Sequence, residues 1–246
     1  MALTPTVLIT GITTTDSTAF TSTASITPAA ERLLTAFIGA HSPHSGGLSA
    51  PTLTGNGLTW TEVGTAKDSS SQTVMTVFRA MGTPSSGTLS WAFAGSSAAM
   101  TCAYTVVEWF NASTSGVNGA GAVAQYSTNS VPTGAGSSVL TLTLSSAFSN
   151  SSNAAVAAFA CRNSSAVTFD AAWTALSNAT VGSPTCNYTV IWRSGEDLSV
   201  SCTQAGNNIV QSGVILEIAE QTAGGGGGAG TSLRFRGVRL MGAGAL

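Results

Sequence analysis

Charge is what this 246-residue chain has least of. Asp, Glu, Lys and Arg make up 7% of it, 8 basic residues against 10 acidic ones. An ordinary soluble domain carries about 25%. So small a charged fraction argues against long helices presented to water. The net charge of −2 supplies no field that would gather nucleic acid. Histidine is confined to His41 and His44. No Cys-x-x-Cys pair and no Gly-x-Ser-x-Gly elbow occurs, so zinc, thioredoxin-like and hydrolase signatures are missing. No apolar run approaches the roughly 18 residues of a membrane span, and no membrane partner is expected. The opening Met-Ala-Leu-Thr-Pro-Thr-Val has no basic segment, so a secretory signal is not expected.

What remains is 43% apolar, enough to bury a core and too much for a disordered chain. The apolar runs favour Val, Ile, Thr, Phe and Trp, and Gly, Ser, Asn and Pro separate them. That pattern predicts an all-β sandwich or barrel, which the repeat described below narrows to an antiparallel, jelly-roll-like sandwich. Leu140, Leu142 and Leu144 alternate with Thr141 and Thr143, which marks a strand over 139–144. Residues 186–202 read as a hairpin. Cys186, Tyr188, Val190 and Trp192 share one face of the first arm, with Ile191 the exception. A turn over Arg193–Asp197 would set Trp192 opposite Leu198 and Val190 opposite Val200. The stretch from Pro28 reads as a turn followed by a strand over Leu33–Ala40.

The sequence also repeats. Residues 19–110 run parallel to 137–219 through five short matches in the same order. Leu34–Phe37 falls against Val156–Phe159, and Thr59–Thr61 against Ala172–Thr174. Thr76–Arg79 falls against Val190–Arg193, and Leu89–Phe93 against Leu198–Cys202. Val106–Trp109 falls against Ile215–Ile218. Residues 1–220 therefore form the β-sandwich region, and 221–246 a Gly-rich tether and arm. One large sandwich of about a dozen strands is the expected arrangement, with two small sandwiches as the alternative.

The order of motifs supports a resemblance. Leu33-Leu-x-Ala-Phe37 is followed by Gly55-x-Gly-Leu-Thr-Trp-Thr61, Phe78-Arg-Ala80, Ser86-Gly-Thr-Leu-Ser90 and Val106-Val-Glu-Trp-Phe110. This resembles the β-sandwich virion proteins of tailed bacteriophages and their prophages, over roughly residues 19–220. The resemblance implies a structural or accessory part of a phage particle, assembled in the bacterial cytoplasm. Its implied partners are other virion proteins, in capsid or tail, together with copies of itself. It implies no catalytic residues and no cofactor.

After the sandwich comes an unbroken glycine run, Gly224–Gly228, which reads as a flexible tether. Beyond it lie Leu233, Arg234, Phe235, Arg236, Val238, Arg239 and Leu240, expected to dock on a neighbouring subunit by adding a strand or filling a groove. Three arginines alone would give only weak, salt-sensitive contact with phosphates, so nucleic acid is not an expected partner.

Few residues suggest chemistry. His41 and His44 have metal-ligand spacing but no Asp, Glu or Cys beside them, and read as a loop. Glu196 and Asp197 would point to opposite faces of a strand, so they read as turn residues. Glu108 and Glu217 match across the repeat, which accounts for them without catalysis. Cys102, Cys161, Cys186 and Cys202 read as buried thiols; a Cys186–Cys202 disulfide is the alternative, and it would need a hairpin register centred on Ser194 in place of the Gly195-centred one above, which sets Tyr188 opposite Cys202. Trp60, Trp91, Trp109, Trp173 and Trp192 read mainly as core. Trp109 and Phe110, at a strand end, are the candidate glycan-stacking pair. The five Asn-x-Ser/Thr sequons are expected to stay bare. The reading is of a non-enzymatic virion surface protein, most simply a capsid decoration, with a receptor- or glycan-binding module as the second reading.

Overall fold

The computed structural model describes residues 2–42, 47–70, 72–94, 101–132, 135, 137–183, 185–205 and 210–222. The arm residues Leu233–Leu240 and His44 lie outside them. Among the described residues the chain forms sixteen strands and a short 3-10 segment, Val117–Ala122, broken by left-handed backbone at Asn118 and Gly119.

The first eight strands are β1 (Thr4–Thr13), β2 (Ala19–Thr21), β3 (Leu33–His41), β4 (Thr52–Gly55), β5 (Thr61–Lys67), β6 (Thr73–Ala80), β7 (Leu89–Ala92) and β8 (Thr101–Phe110). The next eight are β9 (Val123–Val131), β10 (Val139–Thr143), β11 (Ala154–Cys161), β12 (Val167–Phe169), β13 (Thr174–Gly182), β14 (Thr185–Ser194), β15 (Ser199–Gln204) and β16 (Gln211–Ile218). The first set builds a five-stranded sheet, β1-β8-β3-β6-β5, and a three-stranded sheet, β2-β7-β4. The second set builds β9-β16-β11-β14-β13 and β10-β15-β12. Adding eight to each label of the first set gives the second. Every ladder is antiparallel. The order is jelly-roll-like, with the fifth strand of each set joined to the larger sheet.

Each unit closes its own core between its two sheets. Phe20, Leu53, Trp91, Phe93 and Phe78 fill the first. Leu140, Leu142, Phe159, Trp173 and Ile191 fill the second. A third core lies between the two five-stranded sheets and joins the units, with Leu33, Phe37, Val77 and Trp109 meeting Val156, Val190 and Leu216. The expected single sandwich is therefore replaced by two sandwiches stacked in four layers. The reason is burial on both faces. In β3, β11 and β16 every residue is buried, so these strands need a partner layer on each side.

The 186–202 hairpin is not formed. β14 pairs with β11 and β13, whereas β15 pairs with β10 and β12 in the other sheet. The turn after β14, with Gly195 at φ +87, carries the chain across the sandwich. Trp192 and Val190 thus face the shared core, not Leu198 and Val200. Ile191, the exception in the alternation, packs into the inner core.

Two of the sequence matches also slip by one residue. Leu34 pairs with Glu108, and Ala155 pairs with Glu217, so Phe37 corresponds to Ala158. Phe37 points into the shared core and Phe159 into the inner core of the second unit. Likewise Thr35 pairs with Arg79 and Val156 with Trp192, which matches Arg79 to Trp192, not Arg193. A one-residue slip exchanges the two faces of a strand. Val106–Trp109 and Ile215–Ile218 do occupy equivalent places.

Glycine lets the units approach. A Cβ on Gly39 would meet the Tyr188 ring of the other unit, and one on Gly64 would lie 2.7 Å from the Tyr126 ring. Tyr188 also donates to Thr101 Oγ1 at 3.1 Å. Thr105 and Ser177 share a hydroxyl contact of 2.7 Å, and Ser212 donates to Thr73 O at 2.9 Å. The gap beside Phe37, Gly39, Met75 and Tyr188 measures about 10 Å³, room for at most one water.

Three chain passages meet at one end of the molecule. Asn111 Nδ2 donates to Ala2 O at 3.1 Å, Ser113 N to Ala219 O at 2.8 Å, and Gln221 N to Asn111 O at 2.8 Å.

Gly39→Ala is expected to destabilise the fold by about 1–3 kcal/mol through overpacking against a buried ring. Gly182→Ala, where a Cβ would meet nothing within 4 Å, is the control expected to change little. Denaturant midpoints for the two variants check this.

Candidate functional site

Among the described residues, those singled out by sequence do not converge. Trp109 is 0% exposed and packs in the shared core. Its ring meets Trp192 edge-on with centroids 6.3 Å apart, and its Nε1 donates to Thr35 Oγ1 at 2.9 Å. Phe110 is 38% exposed, but the Arg32 guanidinium lies 4.8 Å over its ring. The glycan-stacking pair is thus corrected. Strand β8 ends with one aromatic turned inward and the next one capped by a cation.

The Cys186–Cys202 bridge is corrected as well. Cys186 faces the shared core and Cys202 the inner core of the second unit, on different sheets. All four cysteines are buried and unbridged. Burial pushes the Cys102 thiol up to about 12, offset in part by the Trp91 indole N–H, which lies 3.1 Å from its sulfur. Burial raises Cys186 too.

The matched glutamates act as latches. Glu108 accepts from Ala29 N at 2.6 Å and from Arg32 Nη1 at 2.9 Å. Glu217 accepts from Gln125 Nε2 at 2.7 Å, Ser149 N at 3.1 Å and Asn153 Nδ2. Each carboxylate pins the crossover that precedes the central strand of its sheet, the loop before β3 or before β11. Glu217 is 1% exposed, and neutral N–H donors satisfy its carboxyl oxygens at these contacts. Asn153 is the hub of that corner, since its Oδ1 also accepts from Glu220 N at 2.9 Å and its backbone O from Gly195 N at 3.1 Å. Asp197 organises the turn after β14. It pairs with Arg193 and accepts from Trp173 Nε1 at 3.2 Å. Glu196 is exposed.

His41 is buried where the two units meet. Its Nδ1 lies 3.1 Å from Gln72 O, and Arg162 of the second unit donates to Gln72 Oε1 at 3.2 Å. Burial lowers its pKa, and the Arg162 charge lowers it further, against opposing effects of the Gln72 carbonyl and Asp68. Among the described residues no group of three or more His, Cys, Asp or Glu side chains could hold a metal ion. No helix there is long and apolar enough to cross a membrane.

The exposed surface differs from the interior in a systematic way. On the outer three-stranded sheets, hydroxyls stand in rows across the strands. Thr21 and Thr54 flank Ser90, with Thr21 Oγ1 3.1 Å from Ser90 Oγ. Thr141 stands beside Ser201 with their oxygens 2.8 Å apart, and Thr143 beside Ser199. Among the described residues four sheets give eight edge strands, and seven of them carry no charged side chain. The exception is β5, with Glu62 and Lys67. Sequence reading did not separate these features, although the Thr-Leu-Thr-Leu alternation of 141–144 signalled one hydroxyl row.

No known protein family, no curated protein and no solved structure gives a significant match to the chain. The fold and these surfaces define an all-β sandwich protein whose distinctive chemistry lies on its outside.

Glu217→Ala is expected to cost about 1–3 kcal/mol, by leaving buried amide donors unpaired, and more than Glu108→Ala, whose partner Arg32 reaches water. For His41, the folded ring takes up its proton at lower pH than the unfolded one. Stability should therefore fall as pH drops below about 6.5, and His41→Gln should flatten that slope between about pH 7 and 5. Unfolding free energies across this range check both points.

Proposed function

We propose that the chain is a non-enzymatic structural component of a bacteriophage particle, seated on the virion surface as a capsid decoration or a similar accessory protein. The observation that carries this reading is the set of seven edge strands without charge. Soluble monomeric proteins guard sheet edges with Lys, Glu or Pro, because an open edge pairs with other chains. Edges without charge, Pro5 in β1 being the one proline among the seven, suit a protein whose sides are covered by neighbours. Flat Ser/Thr rows on the outer sheets suit the same role, since hydroxyls can pair with a partner without the desolvation cost of a charge. The resemblance of the 33–37, 55–61 and 106–110 motifs to phage virion sandwiches supplies the setting.

On this reading the partners are capsid or tail subunits and further copies of the chain, and the protein assembles in a bacterial cytoplasm where thiols stay reduced. The segment 233–240 serves as the docking arm. The receptor- or glycan-binding alternative loses its aromatic platform, because Trp109 is buried and Phe110 is capped.

Antibody labelling of particles tests the proposal. Regular label over the head is the expected result, and a chain ending at Thr222 should be incorporated less well than the full one. Label confined to the tail tip would support the receptor reading, and unlabelled particles would end the virion reading.

A further inference from the structure

The two sheets of the second unit touch through sulfur at one point. Cys161 closes β11 in the five-stranded sheet, and Cys202 lies in β15 of the three-stranded sheet. Both side chains point into the inner core between them. Their Sγ atoms are 3.9 Å apart, across 41 residues of chain. A disulfide needs an S–S distance of about 2.0 Å, so about 2 Å remains to be closed by side-chain rotation and a small approach of the sheets.

We propose that Cys161 and Cys202 form a redox-modification site, closed to a cross-sheet disulfide by a disulfide oxidant such as oxidised glutathione. One cysteine thiolate attacks the oxidant's S–S bond and releases one glutathione thiolate, leaving a mixed disulfide. The second cysteine thiolate attacks the protein sulfur of that mixed disulfide and releases the other glutathione. One S–S bond breaks and one forms. The two protein thiols lose two electrons and two protons, and two glutathione thiols gain them.

The geometry selects this pair. Cys186 faces the shared core on the other side of its sheet and receives the Thr101 hydroxyl at 3.4 Å. Cys102 belongs to the first unit and is held by Trp91. The position of the first unit that corresponds to Cys161 is Ala40, because Ala40 pairs with Cys102 where Cys161 pairs with Gln211. Only the second unit can therefore be bridged. Access runs through β12, which covers β15 with three residue pairs and forms the edge of its sheet. So short a strand frays at small cost and opens the way to Cys202. The contact with Cys202, together with burial, holds the Cys161 thiol well above its ordinary range. Reaction thus proceeds from the frayed state and quickens as pH rises.

The test uses the full wild-type chain, reduced, desalted and equilibrated in buffers of increasing oxidised-to-reduced glutathione ratio. The expected result is a loss of about 2 Da in intact mass, with a peptide map that joins Cys161 to Cys202. Cys186→Ala should still bridge, and Cys161→Ala should stop at a glutathione adduct or stay reduced. The oxidised chain should unfold at higher temperature than the reduced one. No mass loss even with oxidised glutathione alone, or a map that joins Cys186 to either cysteine, would overturn the assignment.

Discussion

The structure depends on covering the second face of two apolar sheets. A five-stranded sheet that packs on a three-stranded one has one face satisfied and one left over. In this chain the leftover faces carry Phe37, Val77 and Trp109 on one side and Val156, Val190 and Leu216 on the other. Left in water, each large side chain would forgo about 1.5–3 kcal/mol of burial. Stacking the sheets removes both faces at once. The scarcity of charge follows from the same constraint, because the central strands have no wet side on which to put it. The glycines at 39 and 64 follow too, since two buried sheets come closest where a tyrosine ring from one finds no Cβ on the other.

Within this frame the polar interior is small and local. Glu108 and Glu217 sit at equivalent places and do equivalent work, each holding a crossover loop against the end of a buried strand. They have diverged in means. One uses a guanidinium and the other a set of amides. The sulfurs do not occupy equivalent places at all: Cys102 corresponds to Gln211 and Cys161 to Ala40, so an indole donor lies beside one and a second thiol beside the other. The two units thus share topology and the hydroxyl pairs of their outer sheets, while their buried polar side chains take different partners.

Fold class was legible in the sequence, and connectivity was not. Strands such as 33–41 and 139–143 announce themselves through β-branched and alternating residues. Alternation says that a strand has a buried face, but not which sheet it joins. In 186–202 the two arms alternate as hairpin arms would, and they lie in different sheets. Ile191 was the visible clue, since an apolar residue on the supposedly wet face means that both faces are dry. The register slip at Phe37 and Phe159 has the same origin, because identical letters were matched where the ladder matches pairing partners. Among candidate residues, Trp109 misled because strand ends are often open, and here its ring turns into the shared core and meets Trp192 edge-on. The carboxylate pair was legible as a repeat feature. The Cys161–Cys202 contact was not, since it joins two sheets across 41 residues.

The meeting of Ala2, Asn111–Ser113 and Ala219–Gln221 at one pole gives the chain a cyclic order. With the same eight-strand path run twice and returned to its starting point, the sequence of the two units along the polypeptide is a convention. A short link from residue 222 to residue 2, with an opening cut near 113–115, would set the second unit first and leave every ladder in place. The architecture is in effect a ring of two, in which the order of the units along the chain follows from the position of the break alone.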